Sequence, residues 1–235
     1  MRKVQVKKHK INGAVKRKVL QLMQIQLRSD SKTRNNQTMD NKRTATIHRK
    51  TNETDIEITI NLDGTGKGDV STGIGFFDHM LLSFARHGLF DLTVKVKGDL
   101  EVDCHHTIED TGIVLGMAID EAVGEKKGIK RYGSCILPMD EALVLTAIDL
   151  SGRPYLVFDC DLTAPMIGEY DTQMTREFFY AVTSSAKMNL HMKKIDGIND
   201  HHIVEACFKS FAKSLMEAVS INPRITDVLS TKGTI

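Results

Sequence analysis

His105-His106-Thr107-Ile108-Glu109 recurs as His201-His202-Ile203-Val204-Glu205, so the pattern HHxxE occurs twice at an offset of 96 residues. Each copy follows a polar turn, Val102-Asp103-Cys104 or Ile198-Asn199-Asp200, and opens a segment with helical apolar spacing, 105–123 and 201–219. A Phe-Phe pair precedes each copy, Phe76-Phe77 and Phe178-Phe179. A repeat of this kind predicts a duplicated chain folded as two related halves. On a helix, the first histidine and the glutamate are i,i+4 neighbours and can reach one cation together. The second histidine is turned by about 100° around the axis and must serve something else. One copy can therefore hand ligands to two ions, and two facing copies could build two. Imidazole with carboxylate suits Mn²⁺, Fe²⁺ or Zn²⁺. His79, in a third helix-like stretch (76–86), is a further donor.

Working outward, Ile56, Ile58, Ile60 and Leu62 alternate with polar residues, as do Leu92, Val94 and Val96. Both runs predict half-buried strands. Asp63-Gly64 supplies a turn, and Gly88, Gly98 and Gly124 read as element ends. Strands are expected around Ile136, 143–148, 155–158 and 190–192, with a helix over 175–186. The order predicts an α+β fold: two duplicated halves, about 48–140 and 141–235, each a mostly antiparallel sheet with helices on one face. Gly64-Thr65-Gly66-Lys67-Gly68 lacks the spacing of a phosphate loop and reads as a hairpin turn. Gly112 and Gly116 read as sites of close helix packing.

The chain has 235 residues and a formal net charge of +2, which hides an asymmetry. Residues 1–38 carry 11 Lys/Arg and one acidic residue (+10), leaving 21 basic and 29 acidic residues (−8) in 39–235. Val15, Val19, Leu20, Met23 and Leu27 would share one helix face. The arm could bind nucleic acid or direct organelle import, but 1–38 holds no Phe, Tyr or Trp to stack on bases. No nucleic-acid partner is expected, and the arm reads as an extension, with Met39 a natural start. No apolar run reaches the roughly 20 residues of a membrane span. Four cysteines without close spacing and the lack of a signal peptide favour a reducing, cytoplasmic setting.

From about residue 48 the chain resembles the imidazoleglycerol-phosphate dehydratase family of histidine biosynthesis. The resemblance runs through Arg49–Thr54, Gly75–Leu81, His105–Asp110, Arg131-Tyr132-Gly133, Pro138–Leu143, Ser151–Tyr155, His201–Lys209 and Ser230–Gly233. Residues 1–47 lie outside it. It implies two Mn²⁺ ions per active site and a cage-like homo-24-mer with sites between subunits. It assigns His79, His106, His201 and Glu205 to one ion, and His105, Glu109 and His202 to the other. Glu177 stands where many members have histidine and is expected to complete the second set. His191 lies in a strand-like stretch and is expected to be structural.

The activity implied is dehydration of D-erythro-imidazole glycerol phosphate to imidazole acetol phosphate. The proton to be removed has no adjacent carbonyl. Two metals on the ring nitrogens would hold the imidazole as imidazolate, whose electrons help expel the hydroxyl. Glu53 matches the family's carboxylate near the site and is given proton transfer. The substrate phosphate calls for fixed positive charge, assigned to Arg131, Arg153, Lys209 and Lys232, with Ser230 and Thr231 donating. The alternative enzyme reading is a two-metal hydrolase of phosphate esters or amides.

Overall fold

The computed structural model describes residues 43–235. The reading of 1–38 as a basic arm with a short helix lies outside these residues. The first described strand, β1 (Thr44–Lys50), starts before residue 48 and pairs antiparallel with β2 (Thr54–Asn61).

The first half continues with β3 (Gly68–Ser71), α1 (Gly75–Gly88), β4 (Asp91–Gly98) and α2 (His105–Val123). The second contains β5 (Tyr132–Met139), β6 (Ala142–Asp149), β7 (Tyr155–Asp159), a small β8–β9 hairpin (Met166–Ile167, Tyr170–Asp171), α3 (Met174–Ala186), β10 (Asn189–Asp196) and α4 (Asp200–Val219). The sheet orders are β1-β2-β4-β3 and β5-β6-β10-β7. Apart from the β8–β9 hairpin, element for element the second half repeats the first. Each sheet has two antiparallel pairs and one parallel pair, β3 with β4 and β7 with β10.

The alternation of β2 explains its one-sided burial: Ile56, Ile58 and Ile60 are fully buried while Glu57 is exposed. α2 packs on the first sheet and against α3; α4 packs on the second sheet and against α1. The helices therefore lie between the two sheets. The Phe-Phe pairs anchor this layer. Phe77 meets Phe178 at 5.3 Å between ring centres, and Phe178 stacks on Phe208 of α4 at 5.1 Å. Phe76 turns away from this cluster and packs edge-on against His201 at 4.9 Å.

One sequence expectation changes. The glycine-rich stretch 64–68 does turn, but it does not join hairpin neighbours, because β2 pairs with β4 and β3 runs parallel to β4. β4 lies between β2 and β3 in the sheet, so the connection over residues 62–67 must pass across its end. α1 does end at Gly88, with the left-handed conformation taken by Leu89 after it at φ 58°. Gly88 is needed for space, since a Cβ there would lie 2.3 Å from the Phe90 ring. Gly112 and Gly116 do mark close packing. A Cβ on Gly116 would meet the Val182 carbonyl oxygen at 2.6 Å, and one on Gly112 the Phe178 carbonyl oxygen at 2.8 Å.

Candidate metal centre

α1 and α4 cross so that His79, His201 and Glu205 offer ligand atoms all within 4.8 Å of one another, the one such group of three among the described residues. Nε2 of His201 lies 3.4 Å from Glu205 Oε2, and Nε2 of His79 lies 3.9 Å from the same oxygen. Asn199 starts α4 by accepting the His201 backbone N–H at 3.0 Å, while Phe76 supports the His201 ring. Glu205 is buried, and its other oxygen receives Lys209 Nζ at 2.6 Å. Burial pushes this carboxyl upward, but the Lys209 hydrogen bond and charge, with His79 and His201, hold it below the ordinary carboxylate range. Two imidazole nitrogens beside an ionised carboxylate fit a divalent metal cation.

The first HHxxE copy separates as helical geometry requires. His105 Nε2 faces Glu109 at 3.5 Å, one turn along α2. The His106 ring points elsewhere: Nδ1 meets Asp99 Oδ2 at 2.9 Å, and Nε2 lies 4.0 Å from Glu53 Oε1. Glu53 sits in the β1–β2 turn, where its N–H donates to Thr51 Oγ1 at 3.1 Å. Thr54 fastens that turn to α2 by donating to Asp110 at 2.5 Å, and Arg49 pairs with the same carboxylate at 2.7 Å. The Glu53 side chain itself is more than half exposed. In the second copy, His202 Nδ1 meets Glu141 Oε2 at 2.7 Å and Nε2 lies 3.5 Å from Asp140.

A separate cleft of about 570 Å³ is lined by Arg131, Arg153, Ser230, Thr231 and Lys232, among others. Arg131 is fixed by a two-pronged pair with Asp149 (2.7 and 3.1 Å) and donates to the Leu229 carbonyl at 2.7 Å. The hydrogen bond from Arg131 to Asp149 holds the guanidinium even more firmly charged than usual. Five of the six side chains assigned to the substrate phosphate thus converge; Lys209 instead pairs with Glu205. A cleft with two guanidinium groups, an ammonium and two hydroxyls can take a dianion.

Residues 72–215 match the sequence profile of imidazoleglycerol-phosphate dehydratase. The chain is 66% identical over 193 residues to the enzyme of that name from Lachnoclostridium phytofermentans, spanning 82% of this chain and 98% of that one. It is 60% identical over 187 residues to the one from Acetivibrio thermocellus, spanning 80% and 96%. The crystal structure of the Staphylococcus aureus dehydratase superposes with a TM-score of 0.70 at 37% identity, covering 76% of this chain and 99% of that one. The chain belongs to the imidazoleglycerol-phosphate dehydratase family. Its members are hydro-lyases of histidine biosynthesis, acting on a small phosphorylated substrate. A further dehydratase structure, from Pyrococcus furiosus in complex with (S)-C348, superposes equally well at 36% identity, covering 80% of this chain and all of that one.

Against the family's expected ligand sets, this chain gathers three of four for the first ion. His106 stands with Glu53 and Asp99. For the second ion, His105 and Glu109 lie together on α2, and His202 stands with Glu141 and Asp140. Glu177 is bonded to Arg176 Nη1 at 2.8 Å and lines a cleft with Phe158, Cys160 and Gln173. His191 lies on the exposed face of β10, its backbone paired with Ala147 and Val157. Sequence reading missed Asp99 and Glu141 as histidine partners. Asp99 lies only seven residues before His106 and could have been suspected; Glu141 lies 61 residues before His202 and depends on tertiary structure. Among the described residues, no helix is long and apolar enough to cross a membrane.

Proposed function

We propose that this chain dehydrates D-erythro-imidazole glycerol phosphate to imidazole acetol phosphate, with two Mn²⁺ ions per active site. The observation that carries the reading is the convergence of His79, His201 and Glu205 in a chain of this family. These three residues and His106 would hold one ion; His105, Glu109, His202 and Glu177 would hold the other. Bound there, the ions would supply Lewis acidity toward the imidazole of the substrate.

The chain's own residues do the rest. Arg131, Arg153, Lys232, Ser230 and Thr231 bind the phosphate and orient the glycerol chain. Lys209 keeps Glu205 ionised as a ligand. Glu53 moves the proton: its carboxylate is exposed, anchored through Thr51 and Thr54, and close to His106 Nε2. No residue lines both the phosphate cleft and the His79 group, and the two halves of each HHxxE copy face different neighbours. Both features support active sites completed between copies; the homo-24-mer and the cytoplasmic setting belong to the reading through the family resemblance. The family resemblance spans residues 48–235, the dehydratase domain takes in the whole of β1 from Thr44, and residues 1–38 are an extension that activity does not need.

The test is an assay of the Mn²⁺-loaded protein with imidazole glycerol phosphate beside a generic phosphatase substrate. Formation of the acetol phosphate without release of inorganic phosphate supports the dehydratase. Phosphate release without the ketone sinks it in favour of a two-metal hydrolase.

A further inference from the structure

The two second histidines of the HHxxE copies share an arrangement that the first histidines lack. His105 and His201 face the glutamate one turn along through Nε2, at 3.5 and 3.4 Å. His106 and His202 each meet a carboxylate through Nδ1, at 2.9 Å from Asp99 and 2.7 Å from Glu141. These distances are those of charge-assisted hydrogen bonds. An ionised carboxylate only accepts, so Nδ1 must carry the hydrogen and the lone pair of the neutral ring is left on Nε2.

The duplication makes this informative. By the 96-residue offset, the position equivalent to Asp99 is Ile195, which has no carboxylate. Asp99 follows β4 directly, whereas Glu141 comes from the β5–β6 turn. The halves therefore reach the same contact from different elements, which fold duplication alone does not produce. Asp99 is also poorly served by the fold. Its Oδ1 is buried without a hydrogen-bond partner among the described residues, while Oδ2 receives His106. An unpaired buried oxygen is a cost that an apolar residue at this position would avoid. Glu141 additionally accepts the backbone N–H groups of Asn199 at 2.8 Å and Ile198 at 3.3 Å, tying His202 to the entry of α4.

We propose that Asp99 and Glu141 are positioning residues that fix the tautomer and ring orientation of His106 and His202, presenting Nε2 of each as a metal donor. The inference rests on the proposed Mn²⁺ centre. Its test uses the full-length chain, stripped of metal by a chelator and titrated with Mn²⁺ while free aquo-Mn²⁺ is followed by electron paramagnetic resonance. Asp99→Asn and Glu141→Gln keep size and an acceptor oxygen but lose the charge. Each is expected to weaken Mn²⁺ binding by roughly 10- to 100-fold, and in Asp99→Asn with the melting temperature of the metal-free protein unchanged. The wild-type kcat should be approached again at high Mn²⁺, with KM unaltered. Should Glu141→Gln fail to fold because its backbone contacts matter, Asp99→Asn decides, since its hydrogen bond serves His106. Wild-type binding with equal affinity in Asp99→Asn leaves the metal centre standing and overturns the positioning role, as does a loss confined to melting temperature. A wild type that binds no Mn²⁺ removes both readings.

Discussion

Lys209 Nζ stands 2.6 Å from Glu205 Oε1, one turn along α4, while the opposite oxygen of the same carboxylate faces His201 and His79. Lys209 therefore acts on the candidate metal centre as well as on charge in general. Burial alone would raise the Glu205 carboxyl; the lysine is the largest influence pulling it down. Lys209→Met should leave burial dominant, so that protons compete with metal at a higher pH than in the wild type. The pH at which half of the bound Mn²⁺ is released should rise, and affinity at pH 6 should fall roughly tenfold, the worth of one charge-assisted hydrogen bond. Mn²⁺ titrations across pH check this; an unchanged release pH would show that Glu205 does not ligate.

Gly116→Ala sets two effects against each other. Alanine gains about 1 kcal/mol of helix propensity over glycine. Its methyl, however, would meet the Val182 carbonyl oxygen at 2.6 Å, Ser185 Cβ at 2.7 Å and the Ala186 nitrogen at 3.0 Å. Two of these are backbone atoms of α3 and its end, so relief requires moving a helix rather than a side chain. Overpacking of this kind costs about 1–3 kcal/mol and should win. Thermal melting of the metal-free protein should show a lower midpoint; a raised one would mean that α2 and α3 separate easily.

Much of this architecture was legible because the sequence repeats. α2 runs from His105 to Val123 as its spacing predicts, and Gly124 follows it. β1 and β3 were not legible: Thr44–Lys50 mixes Ala45 and Ile47 with five polar residues, and only pairing with β2 makes it a strand. The same division holds at the site. Helical periodicity fixed that His105 and His106 diverge, and it could pair His201 with Glu205. It could not show that His79, from another helix, would join them, which the resemblance supplied. Nor could it show Glu141 reaching His202, because neither partner's local sequence carries that contact.

Arg131 has a double duty in the phosphate cleft. It adopts φ 70°, its Nε and Nη2 hold Asp149, and its Nη1 holds the Leu229 carbonyl next to Ser230. Lysine keeps the charge but offers no planar fork. Arg131→Lys should therefore loosen the Ser230–Lys232 segment, raising KM for a phosphorylated substrate roughly tenfold with a smaller change in kcat. Steady-state kinetics at saturating Mn²⁺ tests this. An equal fall in kcat with KM unchanged would place Arg131 at the chemical step instead.

Asp200, the first residue of α4, controls how that helix meets the loop before β8. Its Oδ2 accepts the Thr163 N–H at 2.8 Å, the Ala164 N–H at 2.5 Å and the Thr163 hydroxyl at 3.0 Å. Burial pushes the carboxyl up, but these donors outweigh it and leave it below the ordinary range. The helix N-terminus favours the same charged form. Asp200→Asn should destabilise the chain by about 1–3 kcal/mol at neutral pH, through loss of charge-assisted hydrogen bonds. The sign with pH follows from the depressed folded value. The carboxylate's contribution is fully present above the unfolded value and lost as pH falls through the folded one. Melting midpoints of the wild type and Asp200→Asn, both in chelator, should therefore differ most above the ordinary aspartate range and converge as pH falls below it. A gap that stays constant over that range would assign the loss to packing of the amide rather than to the charge.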